Sequence, residues 1–164
     1  MRHGMHPAKI ISRLPFGRRL RAADSGQSLV ELVMVLPIIL ILIFAIVDFG
    51  MGLRSYISLT NATREGARFA AVGNPAGAYP TDCGVTDTTV VGRVCVGMEG
   101  LSLDNLDTVT VSYPNGQNPG NDVSVAAQYT YQYITPLGDL MNFISAGAFP
   151  DVLTLSTSTD MRLE

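Results

Sequence analysis

Histidine is almost missing from this chain. It occurs at positions 3 and 6 and nowhere in the residues that follow. A Ser-His-Asp or Cys-His nucleophile is thereby excluded from everything after the N-terminal stretch, as is a histidine-containing metal site. No glycine motif of the phosphate-cradling kind occurs. The acids Asp82, Asp87, Asp104 and Asp107 show no ligand spacing, and a solvated surface explains them better than calcium. The expectation is a non-enzymatic chain without catalytic residues, cofactor, metal or small-molecule substrate. Charge is scarce too: 15% of 164 residues, against 47% apolar, with a mean hydropathy of +0.27. Intrinsic disorder needs the opposite balance and is excluded. The length leaves room for one domain of ordinary size.

What charge there is lies unevenly. Residues 1–26 hold six basic residues (Arg2, Lys9, Arg13, Arg18, Arg19, Arg21) against Asp24 alone, a net +5. Residues 27–164 hold five basic residues against thirteen acids, a net −8. A nucleic-acid-binding domain should carry its positive charge on the folded part, so this distribution speaks against one. It fits a chain whose two ends face different surroundings.

Between the two lies an apolar run. Leu32 to Val47 contains no charge, and Gln27 to Val47 contains only Glu31. As a helix this stretch rises roughly 32 Å, enough to cross a hydrocarbon core of about 30 Å. A buried helix of a soluble protein should show a polar stripe, and this run is apolar on every face. A cleaved signal peptide with Gly50-Met51-Gly52 as its cleavage site is the nearer competitor. Its apolar stretch would exceed the usual 7–15 residues. The positive-inside rule then predicts a single-pass protein of the cytoplasmic membrane, with the N-terminus in the cytoplasm and the C-terminal part outside. Two residues are unusual for a plain anchor. Glu31 is ionisable, at a cost of about 2.5–3.5 kcal/mol at mid-span and less near the edge. Pro37 removes a helix hydrogen bond and predicts a kink near Val33.

The order basic leader, Gly26, four residues, Glu31, apolar run resembles the processing site of type IV prepilin-like proteins, in which a membrane peptidase cuts after the glycine. Cutting there would remove the positive leader and create a new α-amino group at Gln27. Gly26, Gln27 and Glu31 are the processing-site residues this resemblance implies. Within an assembly of parallel helices, the amine of a neighbouring subunit would offset the buried Glu31 carboxylate and favour one register.

Downstream, Phe49, Leu53, Tyr56/Ile57, Thr60 and Ala67 recur at three- and four-residue steps, a helical stripe. Gly73-Asn74-Pro75 is a stop signal, so a helix from Gln27 to Val72 would span roughly 69 Å. The run Gly26-Gln-Ser-Leu-Val-Glu-Leu…Leu-Pro37…Asp48-Phe-Gly…Thr60-Asn-Ala-Thr-Arg-Glu-Gly-Ala-Arg-Phe-Ala-Ala71 resembles the N-terminal signature of the TadE family, minor pseudopilins of the tight-adherence (Flp) pilus system. Tyr-x-Tyr-x-Tyr-Ile-Thr-Pro136-Leu and Met161-Arg-Leu-Glu164 are similar to the family's closing pattern; residues 75–105 carry no such motif. The resemblance implies a pilus-associated protein whose partners are the lipid bilayer, a prepilin peptidase, other pilins or pseudopilins and the assembly platform.

Arg64-Glu65-Gly66-Ala67-Arg68 has two readings. Glu65 and Arg68 are i,i+3 neighbours of the kind found on solvated helix faces. The small residues Gly66, Ala67, Ala70 and Ala71 would admit another backbone, either the outer domain or a neighbouring subunit, so this run is also a candidate assembly face.

The remainder, residues 74–164, reads as a small extracytoplasmic α+β domain. Residues 74–87 are a loop, and Thr88–Gly97 is ambiguous between strand and short helix. Thr108–Tyr113 and Asp122–Tyr133 alternate with period two around an Asn115-Gly116 turn, which predicts an antiparallel hairpin. A short helix over Leu137–Ile144 and a strand over Val152–Thr159 follow. The fold class is therefore α+β and pilin-like: a long N-terminal helix, its span (27–47) continuing outside the membrane (48–73), packed on an antiparallel sheet of three or four strands. The aligned tyrosines suit packing on that helix better than a carbohydrate-binding strip. Cys83 and Cys95, the only cysteines, would form a disulfide outside the cytoplasm or remain two free thiols. Two function classes follow: a structural pilus-assembly subunit, and a membrane-anchored binding or adhesion module acting alone.

Overall fold

In the computed structural model the described residues are 21–85, 87–98 and 100–164, with side chains described from Gly26 onward. His3, His6 and nearly all of the basic leader lie outside them. The chain divides between Leu40 and Ile41 into two units.

Helix α1 (Arg21–Ala71) contributes to both. In the first unit it is the described structure, and Leu29, Val30, Leu32, Val33, Met34, Ile38 and their neighbours are all exposed. Its mean hydropathy over the most apolar window reaches 3.1, with none of that window buried. A helix bare of partners on every side and this apolar has hydrocarbon, not water, as its natural solvent. Pro37 stands inside α1, which stays helical on both sides of it.

In the second unit α1 lies under a sheet. Its buried positions are Asp48, Gly52, Ser55, Leu59, Ala62, Thr63, Gly66, Ala67, Ala70 and Ala71, which recur at helical steps along one face. This is not the apolar stripe of the sequence. Phe49, Leu53, Tyr56 and Ile57 stand on the exposed side, while the side facing the domain is built from small and hydroxylated residues. The reason is proximity. A Cβ on Gly66 would lie 2.4 Å from Val94 Cγ2, and one on Gly97 would lie 3.3 Å from the Ala62 Cα. Bulky residues there would hold the domain off the helix.

Helix α1 ends where Gly73 takes φ 83 and Asn74 donates its side-chain amide to the Phe69 carbonyl at 2.9 Å, the glycine-terminated stop that Gly73-Asn74-Pro75 predicted. Thr88–Gly97 resolves as helix α2 (Val90–Gly97), capped by Thr89, whose hydroxyl accepts from Gly92 N at 3.1 Å. Burial of Val90, Val91, Val94 and Cys95 on one side overrides the strand preference of β-branched residues. A single 3-10 turn (Leu103–Asn105) then leads into the sheet.

Strands β1 (Leu106–Ser112), β2 (Asp122–Gln132) and β3 (Val152–Arg162) form one antiparallel sheet in the order β1-β2-β3. Val125 pairs with Val111 on one side and Thr159 on the other. The β1 pairing is broken by an irregularity between Leu106 and Thr108. Along β2 the inward residues are Val123, Val125, Ala127, Tyr129 and Tyr131, the alternation read from the sequence. Helix α3 (Leu137–Ser145) connects β2 to β3. The chain end closes the unit: Leu163 N donates to Asn121 O at 2.7 Å and Glu164 N to the Ala71 carbonyl at 3.0 Å.

Cys83 and Cys95 form a disulfide, their Cα atoms 5.4 Å apart, which ties the loop before α2 to α2 itself. Closing a loop of this length contributes about 2–3 kcal/mol, a large share for a small core. The Cys83→Ser/Cys95→Ser double variant should lose that amount in denaturant unfolding, and non-reducing mass mapping should recover one linked peptide pair. An unchanged unfolding midpoint would remove the stabilising role.

Candidate functional site

Three places bear on function, and none has the make-up of a reaction centre. The first is the start of α1. Gly26, Gln27 and Glu31 are exposed within the helix. The Gln27 side-chain amide donates to Glu31 Oε1 at 3.3 Å, one turn along. The carboxylate therefore sits directly above the residue whose α-nitrogen the predicted cut would free.

The second is Asp48, the first charged residue after the sixteen uncharged positions. It is only 3% exposed and makes no salt bridge among the described residues; hydrogen bonds satisfy it. Asp48 Oδ1 accepts from Ile134 N at 2.8 Å, Thr135 N at 3.3 Å and the Tyr131 hydroxyl at 3.4 Å. Its other oxygen accepts from the Thr135 hydroxyl, which in turn accepts from Leu137 N at 3.3 Å. One carboxylate thus holds the end of β2 and the entry to α3 against α1. Burial alone would push its pKa up, but the hydrogen bonds from Thr135, Ile134 and Tyr131 outweigh burial and hold it below its ordinary value. Burial, and then the adjacent Asp48, push the Tyr131 phenol up to about 12; Tyr133 is raised by burial first and by the Asp48 and Asp151 charges after it. Tyr129 and Tyr131 are buried, so the tyrosine row packs inward rather than offering a binding strip. Tyr131 meets Tyr133 edge-on at 6.2 Å, and Tyr133 stacks on Phe149 at 5.8 Å.

Asp48 was missed as a site in the sequence. The signal was present, in a carboxylate placed at the end of a long uncharged helix and so in need of a dedicated set of donors. Its donors lie more than eighty residues away, and nothing local announces them.

The third place is Arg64–Arg68. Of the two dockings open to its small residues, the chain's own domain takes one: Gly66 and Ala67 are buried, with Val94, Val90 and Val125 nearest to Gly66. Arg64 and Arg68 remain exposed. Glu65 pairs with Arg93 of α2 at 3.4 Å rather than with Arg68 along the helix, and Arg93 also reaches Asp87 at 3.6 Å and lies over the Phe69 ring. The ion pair is a bracket between α1 and α2, half-exposed and worth little by itself.

An open apolar cleft of about 860 Å³ runs beside Asp48 between α1 and the sheet, walled by Ile46, Phe49, Leu53, Tyr131, Leu153 and Leu155 among others. The one charged residue in its walls, Asp48, is already engaged by the donors described above, Tyr131 among them.

Comparison with known proteins gives one match. Residues 26–68 match the family model described as TadE-like protein, about a quarter of the chain. The match begins at Gly26 and takes in the exposed apolar helix, Asp48 and the Arg64–Arg68 run. No curated protein and no solved structure matches the chain.

Proposed function

We propose that the chain is a non-enzymatic minor pseudopilin of a tight-adherence (type IVc, Flp) pilus or related secretion system. It is anchored by residues 27–47, with its N-terminus in the cytoplasm and residues 48–164 outside, and is cut after Gly26 by a prepilin peptidase. The observation that carries this reading is positional: Gly26-x-x-x-x-Glu31 stands where the TadE-like match begins and at the head of the long apolar run of α1. A TadE-like segment on one apolar helix fits a membrane-anchored, pilus-associated protein; the pseudopilin role is the step beyond that.

The geometry suggests how such a subunit would work. A Glu31 carboxylate in hydrocarbon needs a counter-charge, and the Gln27 amine of a neighbouring subunit would supply one after cleavage. Above the membrane, Phe49, Leu53, Tyr56 and Ile57 leave an apolar ridge along the flank of α1, beside the open cleft toward the sheet. Neighbouring helices would pack on that ridge as they do lower in the bilayer. Helix packing and charge pairing are the whole of the chemistry this requires.

Intact mass and N-terminal sequencing of membrane-extracted protein should give Gln27 as the first residue, and a Gly26→Leu variant should keep residues 1–26. Retention of the leader in peptidase-containing cells would refute processing. A protein that stays monomeric in detergent, with no crosslinks through α1, would favour the membrane-anchored adhesion module instead.

A further inference from the structure

We infer that helix α3 is an interfacial element that lies in the headgroup region of the bilayer, giving the protein a second membrane contact beside its transmembrane helix. The inference rests on the membrane-anchored reading of residues 27–47.

The first observation is position. Asp48 follows the last residue of the span, and its carboxylate holds Ile134 N at 2.8 Å and, through the Thr135 hydroxyl, the first turn of α3. The start of α3 is therefore fixed at the level where α1 leaves the membrane. At nine residues, α3 extends about 14 Å from that point.

The second observation is composition. From Tyr133 to Pro150 the chain carries one charged residue, Asp139, and no basic one. The inward side of α3 is Leu137 and Gly138, both buried. Phe143 points away from that side and is 86% exposed, while Leu140 and Ile144, i+3 and i+7 from Leu137, continue the Leu137 side past the domain's edge, Leu140 half-buried and Ile144 60% exposed. Ile134, whose backbone bonds to Asp48, is 62% exposed, and Val152 and Leu153 are exposed where β3 begins. Outward positions farther along β3 are Thr154, Ser156, Ser158 and Asp160. Apolar exposure in this sheet thus gathers at the end that Asp48 ties to the membrane exit, and hydroxyls take over away from it. In water such a helix is a liability; at the headgroup boundary its aromatic and aliphatic face is buried with no ionic attraction required. Binding through it should therefore be indifferent to lipid charge.

The chain has no tryptophan, so one introduced indole reports a single place. Full-length protein with Phe143→Trp, Ile38→Trp or Val85→Trp would be reconstituted into phosphatidylcholine vesicles with and without brominated acyl chains. Ile38 marks the span, and Val85, 81% exposed in the loop before α2, marks water. Phe143→Trp should emit to the blue of Val85→Trp, resist acrylamide, and lose most of its emission to the brominated lipid, equally in vesicles containing phosphatidylglycerol. Emission from Phe143→Trp that matches Val85→Trp, while Ile38→Trp is quenched, overturns this inference and leaves the anchor standing. A blue shift that depends on protein density and ignores the bromines places a second copy on α3 and also overturns it. Absence of quenching at Ile38→Trp overturns the anchored reading and this inference with it.

Discussion

Replacing Asp48 with alanine should detach the end of β2 and the entry to α3 from α1. Two backbone N–H groups, Ile134 and Thr135, and two hydroxyls, Tyr131 and Thr135, donate to this one carboxylate. Each buried donor left without an acceptor costs about 1–3 kcal/mol, so a loss of about 3 kcal/mol or more is expected. That is a large part of the 5–15 kcal/mol typical of a whole domain. Asp48→Asn keeps one acceptor oxygen for the backbone N–H groups and should cost less. Amide hydrogen exchange is the direct measurement: in Asp48→Ala, Ile134 and Thr135 should lose protection by orders of magnitude, while Val123 and Val125 toward the far end of β2 change little. Unaltered protection at Ile134 would show that the carboxylate is not what holds the joint. The pH dependence has a definite sign. A carboxyl whose folded pKa lies below its unfolded value stabilises the fold at pH above that unfolded value, near 4, and the stabilisation disappears as pH falls through the folded pKa. Wild type should therefore lose stability below about pH 4 more steeply than Asp48→Asn. Tyr131 has the opposite sense: its folded pKa of about 12 makes its contribution full below about pH 10, lost as pH rises through that value.

The second large effect is expected at Gly66. Alanine in a helix interior is worth about 1 kcal/mol over glycine, so on an open helix Gly66→Ala would stabilise. Here the added Cβ would stand 2.4 Å from Val94 Cγ2, and Val94 is fully buried and stiff at χ1. Overpacking of this kind costs about 1–3 kcal/mol, so the steric cost outweighs the propensity gain and Gly66→Ala should be destabilised. Gly66→Leu has no room at all and should leave the domain of residues 74–164 unfolded while the apolar N-terminal helix stays intact. Carbonate extraction should still find that variant in the membrane, while protease digestion should remove the domain that wild type protects. Val94→Ala vacates the methyl in question. The Gly66→Ala/Val94→Ala double variant should therefore be less destabilised than the two single costs added together. Strict additivity would mean that the two residues do not meet. A failure of assembly in Gly66→Leu would consequently report a lost domain before it reported a lost subunit interface. An interface is better probed at Phe49 or Ile57, which the fold leaves exposed.

Much of the architecture was legible because it rests on local signals. Twenty-one residues with a single charge define a membrane-length helix whatever follows them. Gly73-Asn74-Pro75 ends it, and period-two alternation marks β2 down to each inward valine and tyrosine. The spacing of Gly26 and Glu31, on which the proposed processing rests, is likewise visible in one dimension. The strand β3 ran three residues farther than its Val152–Thr159 alternation indicated, to Arg162, because its partner β2 supplies ladder positions down to Asp122.

Other features depended on what lay opposite. Thr88–Gly97 became a helix because the space beneath it admits Val90, Val91 and Val94 on one face, and burial outweighs an intrinsic preference of a few tenths of a kcal/mol. The apolar stripe of α1 was read correctly as helical, yet the domain settled beside it, over Ala67 and the smaller residues next to the stripe. The domain approaches α1 closely only over residues as small as Ala62 and Gly66, against α2, and Gly52, against Tyr131 of β2, and hydrophobicity alone does not register that requirement. For the same reason Glu65 passed from Arg68 to Arg93 once α2 came within reach. The sequence by itself determined a basic N-terminal stretch, a membrane-length helix, the Gly26–Glu31 spacing and a hairpin, all consequences of residue order. Only the tertiary structure decided which side of α1 carries the domain and that Asp48 joins them, because packing distance and hydrogen-bond satisfaction are settled between residues far apart in the chain.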